Sequence, residues 1–106
     1  MKHGSCMQSG YKVWWSEPAL AELRDIINHL QQHFTEREIR ILAQQIEREL
    51  NIICLMPHAY PLLNERPTVR KCVLRKEVIL FYRVGDQEIE VVSIFDTRRD
   101  PENYPR

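Results

Sequence analysis

The chain is short of several features on which functional assignments usually rest. Its three cysteines, Cys6, Cys54 and Cys72, are odd in number and follow neither a CxxC nor a CxxH spacing, so neither a disulfide framework nor a zinc site is indicated. Cys54 and Cys72 fall inside apolar patterns and read as buried thiols. Three glycines are too few for a loop that cradles phosphate. No apolar run approaches the ~18 residues of a membrane span, and no signal-peptide core is present. The expected compartment is therefore the reducing cytoplasm. Net charge is missing as well: 15 basic residues face 15 acidic ones, and overall charge points to no partner.

What is present is ordinary for a globular domain. A length of 106 residues allows one core and no second one. Residues 1–10 are small and polar, without periodicity; they read as a leader or an expression remnant, and residues 11–106 as the single domain. Tyr11 to Ser16 is a short aromatic strand, with Tyr11, Val13 and Trp15 on one face and Trp14 on the other. Ser16 suits a helix N-cap, Glu17 the first turn and Pro18 the position beside it. Leu20, Leu23, Ile26, Ile27, Leu30 and Phe34 then recur at helical spacing. Thr35-x-x-Glu38 matches a capping box and opens a second helix. Its apolar stripe is Ile39, Leu42, Ala43, Ile46, Leu50 and Ile53, and it stops before Pro57. Only a turn separates the two, so they form an antiparallel hairpin.

Met56 to Pro67, with Pro57, Pro61 and Pro67, is a loop. After it come three runs rich in β-branched and aromatic residues: Val69 to Leu74, Val78 to Val84 and Ile89 to Phe95. Arg75-Lys76-Glu77 and Gly85-Asp86-Gln87 are short enough for hairpins, and Gly85 can take a positive φ without steric cost. The expected fold is α+β, in the order β-α-α-β-β-β, with the helical hairpin packed on one face of a twisted antiparallel sheet.

Charge is distributed unevenly. Between Arg66 and Arg83 six cations face one acid, Glu77, whereas from Glu17 to Leu50 seven acids face four arginines. The basic sheet is the only feature suited to a polyanion or a phosphate. Arg70, Arg98 and Arg99 equally suit ion pairs with Glu88, Glu90, Asp96 or Asp100. His29 and His33 share a helix face, but no third ligand accompanies them, so no metal is expected; no cofactor is expected either. The exposed aromatics Trp14, Trp15 and Tyr60 suit a partner interface, although tryptophans are just as often core.

The order of elements resembles the RelE/ParE superfamily of toxins from bacterial type II toxin–antitoxin systems. The resemblance covers Tyr11 to about Tyr104. It is carried by Ser16-Glu17-Pro18-Ala19-Leu20-Ala21-Glu22-Leu23, Met56-Pro57, Val69-Arg70-Lys71, Leu80-Phe81-Tyr82-Arg83-Val84 and Ile94-Phe95-Asp96-Thr97-Arg98-Arg99-Asp100-Pro101. It implies a cognate antitoxin as partner, a homodimer or a toxin–antitoxin hetero-oligomer, and growth inhibition or plasmid stabilisation as the biological role.

Two activities compete within the superfamily. RelE-like members cleave mRNA on the ribosome with basic residues on the meander strands and a tyrosine or histidine near the C-terminus; on this chain that set would be Arg70, Arg83, Arg99 and Tyr104. Two of the cationic positions fall instead on Cys72 and Ile79. The ending Arg98-Arg99-Asp100-Pro101 is similar to ParE-like members, which poison DNA gyrase. The resemblance thus implies a gyrase-directed toxin, without catalysis of its own, that binds its target through Arg70, Lys71, Arg98 and Arg99. Ribosome-dependent cleavage, or an inactive member that binds an antitoxin, are the alternatives.

Overall fold

A computed structural model describes residues 3–5, 11–74 and 78–97 of the chain, with side chains from residue 11 onward. The elements are β1 (His3–Ser5), β2 (Lys12–Trp15), α1 (Glu17–His33), α2 (Glu36–Leu55), β3 (Arg70–Val73), β4 (Val78–Val84) and β5 (Glu88–Asp96). The strands form one sheet in the order β1-β2-β5-β4-β3. Beyond β-α-α-β-β-β, the short β1 pairs antiparallel with β2 at the edge of the sheet.

The meander β3–β4–β5 is antiparallel as expected. The aromatic strand β2 lies parallel to β5, with Val13 opposite Ile89 and Trp15 opposite Val91, so the sheet as a whole is mixed. Parallel neighbours need a long crossover, and the helical hairpin supplies most of it. β2 stops at Trp15 opposite Val91, while β5 continues to Asp96. Among the described residues, no strand pairs with the far half of β5 on that side.

Both helices start near where the sequence places them. Ser16 caps α1, its Oγ accepting from the Ala19 N–H at 3.1 Å. Thr35 stands at the N-cap of α2 but makes no side-chain capping bond, so the expected capping box does not close; its carbonyl oxygen accepts from Glu38 N–H instead. In the hairpin before β5 the positive φ belongs to Gln87, at 62°, and not to Gly85. The Gln87 carbonyl is used there, accepting from Lys12 N–H at 3.0 Å. This exchange places a non-glycine residue in a conformation costing roughly 1–2 kcal/mol.

Each face of the sheet has its own apolar cluster. The helix-facing cluster joins Val13, Ala19, Ile26, Leu30, Leu42, Ile46 and Ile53 to Cys72, Leu80, Tyr82, Ile89, Val91 and Ile94. Tyr11 and Trp15 pack against it, as the alternation of the first strand predicts. Phe34 and Ala43, expected on the buried stripes, are exposed. The opposite face holds Leu63, Val69, Ile79 and Phe81, with Phe95 against them. Leu63 comes from the proline-rich loop, which is therefore a cover for the second face as well as a connection.

Backbone bonds hold that cover in place. Lys71 N–H donates to Pro61 O and Leu63 N–H to Val69 O, each at 2.9 Å, and Leu62 forms a bridge opposite Arg70. The loop thus occupies part of the outer edge of β3, which blunts an otherwise open strand edge.

Candidate functional site

The basic meander places its cations by simple strand alternation. Neighbouring residues on a strand point to opposite faces. Arg70 is opposite Tyr82 and shares its face, whereas Lys71 is opposite Phe81 on the other. The expected target-binding pair Arg70–Lys71 is therefore split between the two faces of the sheet.

One guanidinium nitrogen of Arg70 braces the loop. Its Nη1 donates to the carbonyl oxygens of Tyr60 at 2.6 Å and His58 at 3.1 Å. None of the acids set against it in the sequence reading is its hydrogen-bond partner in these contacts. Arg83 pairs with Glu90 across β4 and β5, its Nε and Nη2 both donating to Oε1. The Arg83 side chain is half exposed, at 50%. Such a pair is worth about 0–1 kcal/mol, so it orients Arg83 more than it stabilises the sheet. Cys72 and Ile79 are both buried, the first toward the helices and the second under the loop. Arg98, Arg99 and Tyr104 lie outside the described residues.

Beside Arg70, polar groups converge on the start of the loop. Tyr82 Oη donates to Pro57 O at 2.8 Å, and Tyr60 Oη donates to Glu49 Oε1 at 2.9 Å. Cys72 Sγ donates to the same carboxylate oxygen at 3.4 Å. The Tyr60 and Tyr82 rings meet edge to face with centroids 6.2 Å apart. Residues 57–60 are thus tied to α2 through Glu49, to β3 through Arg70 and to β4 through Tyr82. Tyr60, read from the sequence as an exposed interface aromatic, is part of this inner clasp.

The clasp is quiet chemically. Burial pushes the Cys72 thiol up to about 12, with the Glu49 carboxylate adding to the shift. Burial likewise raises the phenols of Tyr60 and Tyr82 well above the ordinary tyrosine value; Glu49 adds to the first, while the Arg70 charge opposes the second. All three keep their protons at neutral pH, where the Cys72 thiol carries little thiolate. The sign of the pH dependence follows. Between pH 9 and 12 the unfolded chain releases these protons while the folded chain holds them, so stability should fall as pH rises through that window. Urea midpoints at pH 7, 9 and 10.5 test this; a midpoint unchanged at pH 10.5 would show that the three groups ionise freely in the fold.

The other cysteine expected as a buried thiol, Cys54, is buried but disulfide-bonded, whereas Cys72 is free. His29 and His33 stack with ring centroids 4.5 Å apart. Among the described residues no group of three or more His, Cys, Asp or Glu side chains is placed to hold a metal ion. Nor is any helix among them long and apolar enough to cross a membrane.

A second polar cluster, which sequence reasoning missed, joins α1 to β5. Opposite Phe81 and Tyr82 the register of β5 shifts by one, so that Phe81 faces Ser93 and Tyr82 faces Val91, leaving Val92 as a bulge. Ser16 serves both elements: its Oγ caps α1 and donates to Val92 O at 3.1 Å. Nearly two turns on, Glu22 Oε1 accepts from Ser93 Oγ at 2.9 Å and from Ile94 N–H at 3.2 Å. Ser16 and Glu22 both stand in the opening motif of the first helix, but their partners lie more than seventy residues away. No local signal announces them.

Comparison with known proteins agrees with this architecture. The family model described as "ParE toxin of type II toxin-antitoxin system, parDE" matches residues 13–101. No curated protein sequence matches the chain. Among solved structures, a chain of the chromosomal ParDE toxin–antitoxin system from P. aeruginosa superposes with a TM-score of 0.68 at 20% identity, over 84% of this chain and 98% of that one. The YoeB/ParE toxin from Agrobacterium tumefaciens gives 0.61 at 16% identity, over 79% and 95%. YafQ from E. coli strain BL21(DE3) gives 0.55 at 14%, over 84% and 96%. At these identities the structural likeness speaks for the fold, while the family match covers most of the sequence. The chain belongs to the ParE toxin family of type II toxin–antitoxin systems, and a cognate antitoxin is the partner that membership implies.

Proposed function

We propose that this toxin acts in the cytoplasm by binding DNA gyrase and inhibiting it, with no catalytic step of its own, and that its antitoxin neutralises it by binding. The observation that carries this reading is the commitment of the meander's side chains. A nuclease needs a cation, a base and an acid converging on one phosphate. Here Arg70 holds loop carbonyls and Arg83 holds Glu90. The two neighbouring positions that would add cations are buried Cys72 and Ile79. The tyrosine of β4 is buried and donates to a backbone carbonyl.

The gyrase contact then falls to the basic segment after β5, Arg98 and Arg99, with Lys71 on the loop-covered face as a second cationic element. Arg70 contributes by holding the loop and not by meeting the target. Toxin-antitoxin hetero-oligomers, or a toxin homodimer, are the assemblies this reading allows.

Controlled expression without the antitoxin, with DNA and protein synthesis followed separately by pulse labelling, tests the proposal. DNA synthesis should fail first. Early collapse of protein synthesis, with mRNAs cut within codons, would instead favour ribosome-dependent cleavage through Arg70, Arg83, Arg99 and Tyr104. Normal synthesis of both would mark an antitoxin-binding member without toxicity.

A further inference from the structure

α1 ends in a cluster that neither the core nor the proposed target contact uses. His29 and His33 stand four residues apart on the helix, so their side chains share a face. Their ring centroids are 4.5 Å apart and the planes are tilted by 43°. The Phe34 ring adjoins His29, with centroids 6.4 Å apart. Phe34 N–H donates to Leu30 O at 2.8 Å and closes the helix, yet the residue is 47% exposed.

Two histidines at this spacing on one helix face are the arrangement that binds a single Zn²⁺. Zn–N bonds of about 2.0–2.1 Å at a tetrahedral ion place two imidazole centroids roughly 5 Å apart. The observed separation is close to that. His33 is exposed and His29 half-buried, so side-chain rotation can aim a nitrogen of each ring at a shared ion while the helix stays in place. Among the described residues neither ring is engaged in a hydrogen bond that the ion would have to break. The negative end of the α1 dipole lies at the same turn and favours a cation.

One chain supplies only half of such a site. A closed zinc site takes four ligands, and among the described residues no third His, Cys, Asp or Glu joins the pair. A two-fold dimer brings two identical pairs together. The exposed Phe34 beside the site is the kind of aromatic that a protein interface covers.

We propose that His29 and His33 form half of a binding site for a divalent ion of the Zn²⁺ class, which imidazole favours, and that the same pair of a second copy completes it. The ion then bridges a homodimer through the tip of the helical hairpin. The inference does not depend on gyrase as the target.

The test strips the full chain with EDTA and titrates it with ZnCl₂, followed by calorimetry and by sedimentation velocity. Wild type should bind one ion per two chains, and a dimer should appear with the ion and disappear with EDTA. His33→Ala replaces an exposed residue by the best helix former, so the helix should persist. It should weaken Zn²⁺ binding at least about tenfold, since even a supporting residue of a metal site is commonly worth that much. The zinc-dependent dimer should vanish with it, and His29→Gln should act in the same way. His58→Ala, in the exposed part of the loop, should leave the titration unchanged. Absent binding, or binding that survives both helix substitutions, would overturn the site. One ion per chain without a dimer would overturn its completion by a second copy, and a dimer that persists in EDTA would overturn the bridging role of the ion.

Discussion

Reversing the charge at both Arg98 and Arg99 should raise the toxin concentration needed to half-inhibit gyrase by about 100-fold or more, since an interface arginine commonly contributes 1–2 kcal/mol and each 1.4 kcal/mol is tenfold. The two residues follow β5 and lie beyond the buried Asp96, so the double substitution alters no member of either apolar cluster. Thermal unfolding of the variant is expected to match wild type to within a few degrees, which separates a loss of binding from a loss of fold. Part of the lost affinity should appear in the association rate and shrink at high salt, because a like-charge reversal acts over a Debye length. A variant that folds and inhibits like wild type would remove the tail from the interface and leave Lys71 as the remaining cationic element of the proposal.

The second large effect is on stability. Phe81→Ala should cost about 3–5 kcal/mol, the usual range for deleting a buried aromatic ring. Phe81 is 1% exposed on the face away from the helices, packed with Leu63, Val69, Ile79 and Phe95. Its loss removes the floor on which the proline-rich loop sits. Val73→Ala is the control: Val73 shares the strand pair but is 52% exposed, and its truncation should fall within about 0.5 kcal/mol. Urea unfolding of the two variants distinguishes a loop that covers a core from one that merely rests on a surface. Equal, small effects would contradict the two-faced core described above.

The parts of this structure that could be read in the sequence are those encoded by local periodicity. The stripes of α1 and α2, the Ser16 cap and the three meander strands each repeat a 3.6- or 2-residue pattern that needs no partner to be recognised. What escaped is non-local. Whether β2 lies parallel or antiparallel to β5 depends on pairing across most of the chain, and the Val92 bulge depends on how Phe81 and Tyr82 meet β5. The clasp at residues 57–60 escaped for a different reason. Its acceptors at Pro57, His58 and Tyr60 are backbone carbonyls, and a carbonyl leaves no trace in a sequence. Arg70 illustrates the result. Its position in a basic strand suggests a ligand for phosphate, while its geometry is that of a brace between β3 and the loop.

Cys72 and Ile79, the two positions where the resemblance expects cations, can be read directly in the sequence. The structure adds that both are buried on opposite sides of β3 and β4, and that the remaining tyrosine of β4 is sealed against Pro57 O.

The most direct test of the account is a supercoiling assay with purified gyrase and relaxed plasmid, run beside a translation extract carrying a reporter mRNA, with the same toxin preparation in both. The account predicts dose-dependent loss of supercoiling, relieved by the antitoxin, and an intact reporter mRNA at toxin concentrations that stop gyrase. Full supercoiling together with ribosome-dependent cuts in the reporter would contradict it.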